Sequence, residues 1–421
     1  MEFFLYFLIL IFALFGTPIF VIMGLAALVA FTFSGVDTSA IIVEMYRIAS
    51  APTLLTIPLF TFAGYLMAES KSPQRLFDFA NAIFGRIPGG IAIVSLIVCA
   101  FFTAFTGASG VTIIALGGLI MPIMLKRGYS EKFNLGLITT SGSLGLLFPP
   151  SLPIILYGIV AKVDIDKLFL AGIVPGILLI VVLAIYSIYQ GRSFTFAHNH
   201  QDVLPIKAAI WQARYELPLP FLVLGGIYGG FVTASEAAAL TAFYVLIIEC
   251  FFAKDLSITR DVPKIIAESM TLVGAILLIL CCALGLTNYL VDEEIPMKIL
   301  QVMKTYIDSK LMFLFFLNIF LLIVGCLMDI FSAIIVVVPI ILPLAQEYGV
   351  DPIHLAIIFL TNLEIGYITP PVGINLFISS FRFQKPVIEL YRASFPFLII
   401  MLIALFIITY VPSMSLFWFD T

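Results

Sequence analysis

The chain has 421 residues, of which 62% are hydrophobic and 11% charged, and its formal net charge is −4. Soluble domains carry about 25% charged residues, so this composition excludes a soluble globular protein and reads as a polytopic membrane protein. No basic patch points to nucleic acid. No G-x-x-x-x-G-K-[ST] loop is present, so the chain is no P-loop nucleotide motor.

In chain order, the opening run MEFFLYFLILIFALF lacks a basic segment and an A-x-A cleavage site, and reads as a retained helix. The run is broken near Gly16-Thr17-Pro18. A third helix follows over 52–68, then an amphipathic interfacial arm over 72–86 and an apolar stretch over 90–125. At ~1.5 Å per residue that stretch is too long for one crossing of a ~30 Å core. Its middle, TAFTGASGVT, is polar and Gly-containing, which predicts a re-entrant hairpin with its tip inside the protein. A helix over 132–158 is interrupted by TTSGSLGLLFPPS, and a helix over 168–190 closes this half.

After a polar linker at 191–214 the same order returns. The opening run breaks near Gly229-Gly230 through Glu236. Then come a helix over 265–290, an arm over 294–308, a hairpin stretch over 311–345 with GCLMDIFSA at its middle, a helix over 352–381 interrupted by TNLEIGYITPPVG, and a helix over 391–418. A shift of 221 residues lays Pro149-Pro150 on Pro370-Pro371, Gly145 on Gly366, Thr140 on Thr361 and Pro122 on Pro343. The chain is therefore expected to hold two related halves, 1–190 and 215–421.

Charge decides how the halves face. If each opening run crosses twice, one face carries fifteen of the 21 Lys and Arg residues and the other carries Arg47, Lys162, Lys167, Lys298, Lys304 and Lys310. One crossing per run would leave the two faces nearly even. The positive-inside rule favours the first arrangement. Five spans per half is an odd number, so the second half is inverted. The linker then lies in the cytoplasm and both termini lie outside. The expected fold is an all-α polytopic membrane protein built from two inverted repeats of five transmembrane helices plus one re-entrant helical hairpin each, and inverted repeats with broken helices are a transporter signature.

Backbone that leaves a helix at membrane depth must find partners in protein, ion or water. A half-helix ending near Ser141–Gly145 presents free carbonyls, and one beginning near Pro150 presents free N–H groups. Each break can therefore seat a cation beside an anion. Thr106, Ser109, Thr140, Ser141 and Ser143 are candidate hydroxyl ligands of a first sodium, with Gly107, Gly142 and Gly145 as carbonyl ligands. The equivalent places of a second sodium are Gly325, Met328, Asp329, Thr361, Asn362, Gly366 and Thr369. The substrate's anionic group is expected beside the breaks, among Ser143, Pro149, Pro150, Ser151, Pro370, Pro371, Gly373 and Asn375, where two half-helices begin. Asp329 reads as an ion ligand or as a group that orients the hairpin tip. Glu364 reads as functional or as turned to water, and Glu236 as a helix cap.

GSLGLLFPPSLPIILYG, TPPVGINLF, IPLFTFAGYLM, FTGASG and LFLAGIVPG resemble the large membrane subunit of tripartite ATP-independent periplasmic (TRAP) transporters over nearly the whole chain. The tip sequence GCLMD departs from the usual pattern at its Cys and Leu. The resemblance implies a bacterial inner-membrane, sodium-coupled importer with an elevator mechanism and a fold like that of divalent-anion/sodium symporters. It implies no cofactor beyond Na+ as coupling ion. It implies two partners on separate chains: a small four-helix membrane subunit, and a periplasmic substrate-binding protein that delivers a small organic acid such as a C4-dicarboxylate or sialic acid. The alternatives are a stand-alone sodium/anion symporter or antiporter, and a membrane receptor that docks a binding protein without transport. No buried Ser/His/Asp or metal constellation suggests an enzyme.

Overall fold

A computed structural model describes residues 2–35, 37–87, 89–191 and 204–419. Most of the expected linker, 192–203, lies outside the described residues, as do Met1, Asp420 and Thr421 on which the expected placement of the termini bears.

The described residues are all-α. The first half runs α1 (Glu2–Leu14), α2 (Ile19–Ser34), α3 (Ser39–Ala49), α4 (Thr56–Glu69), the arm α5 (Ser72–Phe84), α6 (Gly90–Thr106), α7 (Ser109–Lys126), α8 (Glu131–Ser141), α9 (Leu152–Ala161) and α10 (Ile165–Gly191). A short α11 (Ile206–Gln212) follows, and then α12 (Pro218–Tyr228), α13 (Ala234–Ile247), α14 (Asp261–Asp292), the arm α15 (Ile295–Lys304), α16 (Lys310–Leu327), α17 (Ile330–Glu347), α18 (Pro352–Gly366), α19 (Ile374–Phe383), α20 (Val387–Tyr410) and α21 (Ser413–Leu416). Among the described residues, seven helices are each long and apolar enough to cross a membrane, or eight if the pair bent by 44° around the first Pro-Pro break counts as one span. The chain is a multi-pass membrane protein.

The helix ends follow from local chemistry. Gly107 takes φ 64° and stops α6, and α7 starts two residues later. Ser130 caps α8, accepting from the Phe133 N–H at 3.3 Å. Asp351 caps α18, accepting from the Ile353 N–H at 2.7 Å, with Pro352 next in the chain. Thr233 and Glu236 form a reciprocal capping box at the start of α13, so Glu236 does the capping work read from its position.

The 221-residue shift that aligns the sequence also aligns the helices: α7 and α17, like α8 and α18, start at positions separated by that shift. One difference stands out between the halves. The first half has α3, a 3-10 turn at Pro52–Leu55 and α4 where the second has the single 32-residue α14. The sequence reading missed α3 and began the third helix at 52. Pro52 has no N–H to continue α3, whereas the matching stretch of α14 contains no proline. The expected linker also holds a helix, α11, which packs on the arm α5.

The hairpins α6–α7 and α16–α17 and the broken helices α8–α9 and α18–α19 interlock as one inner unit: α17 packs on α9, α19 on α7 and α8, and α16 on α18. The side chains of α18 are buried from His354 to Gly366. Around this unit α4 packs on α13, and α14 packs on α2, α3 and α4. The outer set meets the inner unit where α4 touches α6 and α14 touches α17. The arm α5 is fixed by charge: Arg75 pairs with Glu216, with Glu249 at 2.9 Å and with Asp255, and Ser72 Oγ donates to Glu249 at 2.7 Å. Burial alone would lower the Arg75 pKa, but the carboxylates of Glu216 and Glu249 hold it above the usual arginine value.

Candidate functional site

The first hairpin tip is seated by close backbone approaches. A Cβ on Gly64 of α4 would fall 2.6 Å from Thr106 Cα, so the tip of α6 lies directly on α4. A Cβ on Gly107 would fall 2.4 Å from Leu152, the first residue of α9. On the other side the tip meets the helix break. Thr103 Oγ1 lies 2.8 Å from the Gly142 carbonyl, and a Cβ on Gly142 would come within 3.4 Å of the Ser109 carbonyl. Thr106, Gly107, Ser109 and Gly142 are thus gathered at one place. Gly145 packs on α6 beside them, against the backbone of Ala100 and Ala104 and the side chain of Thr103, the residue that reaches the Gly142 carbonyl.

Most hydroxyls assigned to the first ion are already engaged within their own segment. Ser141 Oγ lies 3.3 Å from the Ile138 carbonyl, Ser143 Oγ 3.3 Å from that of Thr140, and Thr106 Oγ1 3.5 Å from that of Ala108. Thr140 differs. Its Oγ1 is buried and has no partner. A buried polar atom without a partner is costly unless something absent from the chain satisfies it.

The second tip repeats the plan with different chemistry. Gly325 of α16 and Gly366 of α18 touch backbone to backbone, and a Cβ on Gly366 would fall 2.4 Å from the Gly325 carbonyl carbon. Thr361 and Thr369 back-bond their own helix at 2.7 and 2.8 Å. Met328 ends α16, and Asp329 caps α17, its Oδ1 accepting from the N–H groups of Phe331 and Ser332 at 3.0 Å each. The tip-orienting reading of Asp329 therefore describes what one of its oxygens does. Asn362 donates through Nδ2 to Asn318 Oδ1 at 2.6 Å and to the Ile358 carbonyl at 2.8 Å, while its own Oδ1 is buried without a partner. The Ile358 carbonyl can only accept, so it fixes which end of the amide faces inward. Glu364 is fully buried, and neither carboxyl oxygen has a partner, so it is not turned to water.

Among the residues assigned to the substrate, Asn375 has the most connected position. Its Oδ1 accepts from Ser109 Oγ at 2.7 Å and its Nδ2 donates to the Thr139 carbonyl at 3.2 Å. The start of α19 in the second half is thereby tied to the hairpin tip and the broken helix of the first. Gly373, at φ 56°, donates its N–H to the Cys326 carbonyl at 3.1 Å. Ser151 begins α9 with a buried hydroxyl that has no partner. The Pro149–Pro150 and Pro370–Pro371 bonds that precede α9 and α19 are both cis.

A cavity of ≈ 320 Å³ lies between the two tips. Gly107, Ser109 and Gly110 line it from the first tip, and Asp329 and Phe331 from the second. Leu272, Ile276 and Ile279 of α14 form the facing wall. The eight residues assigned to the substrate are not part of this lining. The sequence reading placed a helix over 265–290 but gave it no part in the site, because LVGAILLI carries no polar group, and it did not name Tyr367, which lines the cavity and accepts the Ile330 N–H on its hydroxyl at 2.7 Å. Tyr367 directly follows Gly366 in the quoted break, and that adjacency was the available signal.

Residues 5–414 match the family model described as "Tripartite ATP-independent periplasmic transporter, DctM component". The chain belongs to this family. It is 37% identical to the C4-dicarboxylate TRAP transporter large permease protein DctM of Pseudomonas aeruginosa, over 93% of this chain and 91% of that one. It is also 37% identical to the isethionate TRAP transporter permease protein DctMQ of Oleidesulfovibrio alaskensis, over 97% of this chain, and spans 65% of that protein's length. The ectoine/5-hydroxyectoine TRAP transporter large permease protein UehC of Ruegeria pomeroyi is 31% identical over 91% of the chain. Among solved structures, the YdaH transporter of Alcanivorax borkumensis shares the fold, with TM-score 0.58 over 90% of this chain and 88% of that one at 12% identity. As a DctM component, the chain is a transporter permease.

Proposed function

We propose that the chain is the large permease of a secondary importer that carries a small organic acid inward with sodium. The carrying observation is the pairing of each hairpin tip with a helix break, where the buried, unpartnered oxygens of the broken helices include Thr140 Oγ1 on α8 and Asn362 Oδ1 on α18. A sodium ion satisfies such oxygens, together with the carbonyls at Gly107, Gly142, Gly325 and Gly366, without asking them to donate. Its charge also offsets an anionic cargo.

The cargo sits in the cavity between the tips and α14. The inner unit of hairpins and broken helices moves as an elevator against the outer set, α14 included, which the arms brace. The charge asymmetry of the loops supports an inner-membrane orientation with both termini outside. A periplasmic binding protein delivers the acid, and a small four-helix membrane subunit completes the permease.

Uptake into proteoliposomes tests this reading. Sodium-dependent accumulation that also requires the binding protein is expected. Uptake that ignores a sodium gradient overturns the coupling, and uptake without any binding protein makes the chain a stand-alone carrier.

A further inference from the structure

The cavity between the tips is built for one charge and an apolar body. Apart from Ser109, Asp329 and Tyr367, its lining is aliphatic side chains, one phenylalanine and glycine or alanine. No lysine, arginine or histidine is among the lining residues. A second carboxylate on the cargo would lose its water against Leu272, Ile276 and Ile279 and meet no basic side chain there, and it would face the like charge of Asp329. The hydroxyls of a sugar acid would likewise lack partners along that wall.

The two tips differ in charge, and the difference orients an anion. At the second tip the carboxylate of Asp329 already caps α17. At the first tip Ala108 precedes α7 and gives it no side-chain cap, and Ser109 and Gly110, its first two residues, border the cavity. The cavity is thus positive at the start of α7, negative at the start of α17 and apolar across α14. At ≈ 320 Å³ it lies at the small end of the range for small-molecule sites, about 300–1,000 Å³.

We propose that this cavity takes a monocarboxylate with a compact apolar body, such as a branched-chain 2-oxo acid, and discriminates against dicarboxylates and polyhydroxylated acids. The carboxylate lies toward Ser109 and Gly110, and the hydrocarbon part lies against Ile276, Ile279 and Phe331. This selectivity rests on the importer reading above.

The test uses the chain reconstituted with its membrane partner and binding protein under an inward sodium gradient, with labelled 4-methyl-2-oxopentanoate, succinate and N-acetylneuraminate as probes. Uptake of the 2-oxo acid at least tenfold faster than of the other two is expected. Ala275 of α14 borders the cavity and tolerates bulk at a helix surface. Ala275→Phe should lower 2-oxo acid uptake tenfold or more, while Ala275→Ser stays within about twofold. A direct readout that bypasses the binding protein is a Phe331→Trp chain in detergent with sodium: its fluorescence should respond to 4-methyl-2-oxopentanoate and not to succinate. Preference for succinate or N-acetylneuraminate in either assay, or full activity of Ala275→Phe, overturns the apolar-cargo assignment and leaves the importer reading standing. Absence of gradient-driven uptake of all three acids, with no fluorescence response to any of them, overturns both.

Discussion

Asn318 on α16 holds Asn362 on α18 by a 2.6 Å hydrogen bond, and Thr409 on α20 holds Asn318 in turn at 3.2 Å. Beyond Thr409, whose carbonyl lies 3.1 Å from His354 Nε2, the chain of contacts ends at Ser415, 3.2 Å from His354 Nδ1. Asn362 Nδ2 is used up by this arrangement, and its Oδ1 is left without a partner, free for the proposed sodium. Asn318→Ala should raise the sodium concentration for half-maximal uptake about fivefold, the equivalent of ~1 kcal/mol for one hydrogen bond. Asn362→Ala should raise it further, with little change in thermal stability. Sodium titrations of uptake alongside melting curves separate the two effects, and unchanged titrations for both variants would remove Asn362 from the ion site.

At the first break, Thr140→Val keeps the shape and removes the orphaned hydroxyl. The fold should be unharmed or slightly stabilised, since no internal hydrogen bond is lost. Sodium dependence should weaken severalfold. Ser141→Ala should also weaken coupling more than folding, but less than Thr140→Val, because the Ser141 hydroxyl already faces the Ile138 carbonyl.

Gly366→Ala places a methyl 2.4 Å from the Gly325 carbonyl carbon, and neither backbone can step aside without opening the hairpin from α18. Loss of uptake and a marked fall in melting temperature are expected, of the order of 1–3 kcal/mol. Gly225→Ala in α12, where a Cβ meets nothing within 4 Å, is the matched control and should be neutral or stabilising.

Arg75→Ala would leave Glu216, Glu249 and Asp255 facing one another across the arm α5. Breaking a buried pair costs about 3–5 kcal/mol. Arg75 keeps 16% of its side chain exposed, so solvent screening reduces this to roughly 2 kcal/mol. The expected outcome is a lower melting temperature with sodium affinity unchanged in the protein that remains folded. Arg75→Lys should restore only part of the stability, because one ammonium cannot reach three carboxylates as a guanidinium fork does.

Ser109→Ala removes the donor to Asn375 and leaves a buried amide oxygen without its partner. A cost of about 1–3 kcal/mol follows, and the tie between the first tip and α19 is weakened. Uptake should fall more than stability does, a difference that parallel uptake and unfolding measurements can detect.

Much of this was legible in the sequence because it is local. Apolar run lengths set the class and the helices. Gly107 and Pro149-Pro150, like Gly373 and Pro370-Pro371, fix where the backbone must leave a helix, whatever packs around them. The Thr233–Glu236 box needs only a three-residue spacing. The same logic explains the misses: α3 was overlooked because Pro52 alone marked that boundary, and α11 because a seven-residue helix inside a polar stretch has too little periodicity to read.

What the tertiary structure alone decided is which groups meet and which are left without partners. Ser109 and Asn375 are 266 residues apart, and no spacing rule predicts their bond. That Thr140 Oγ1 and Asn362 Oδ1 are orphaned, while Ser141, Ser143, Thr361 and Thr369 are not, depends on rotamers set by neighbours from other helices. The wall that α14 gives the cavity is likewise invisible in a run of leucine and isoleucine. Backbone breaks are written in residues next to one another, whereas the unpartnered oxygens and the cavity between the tips are made by packing.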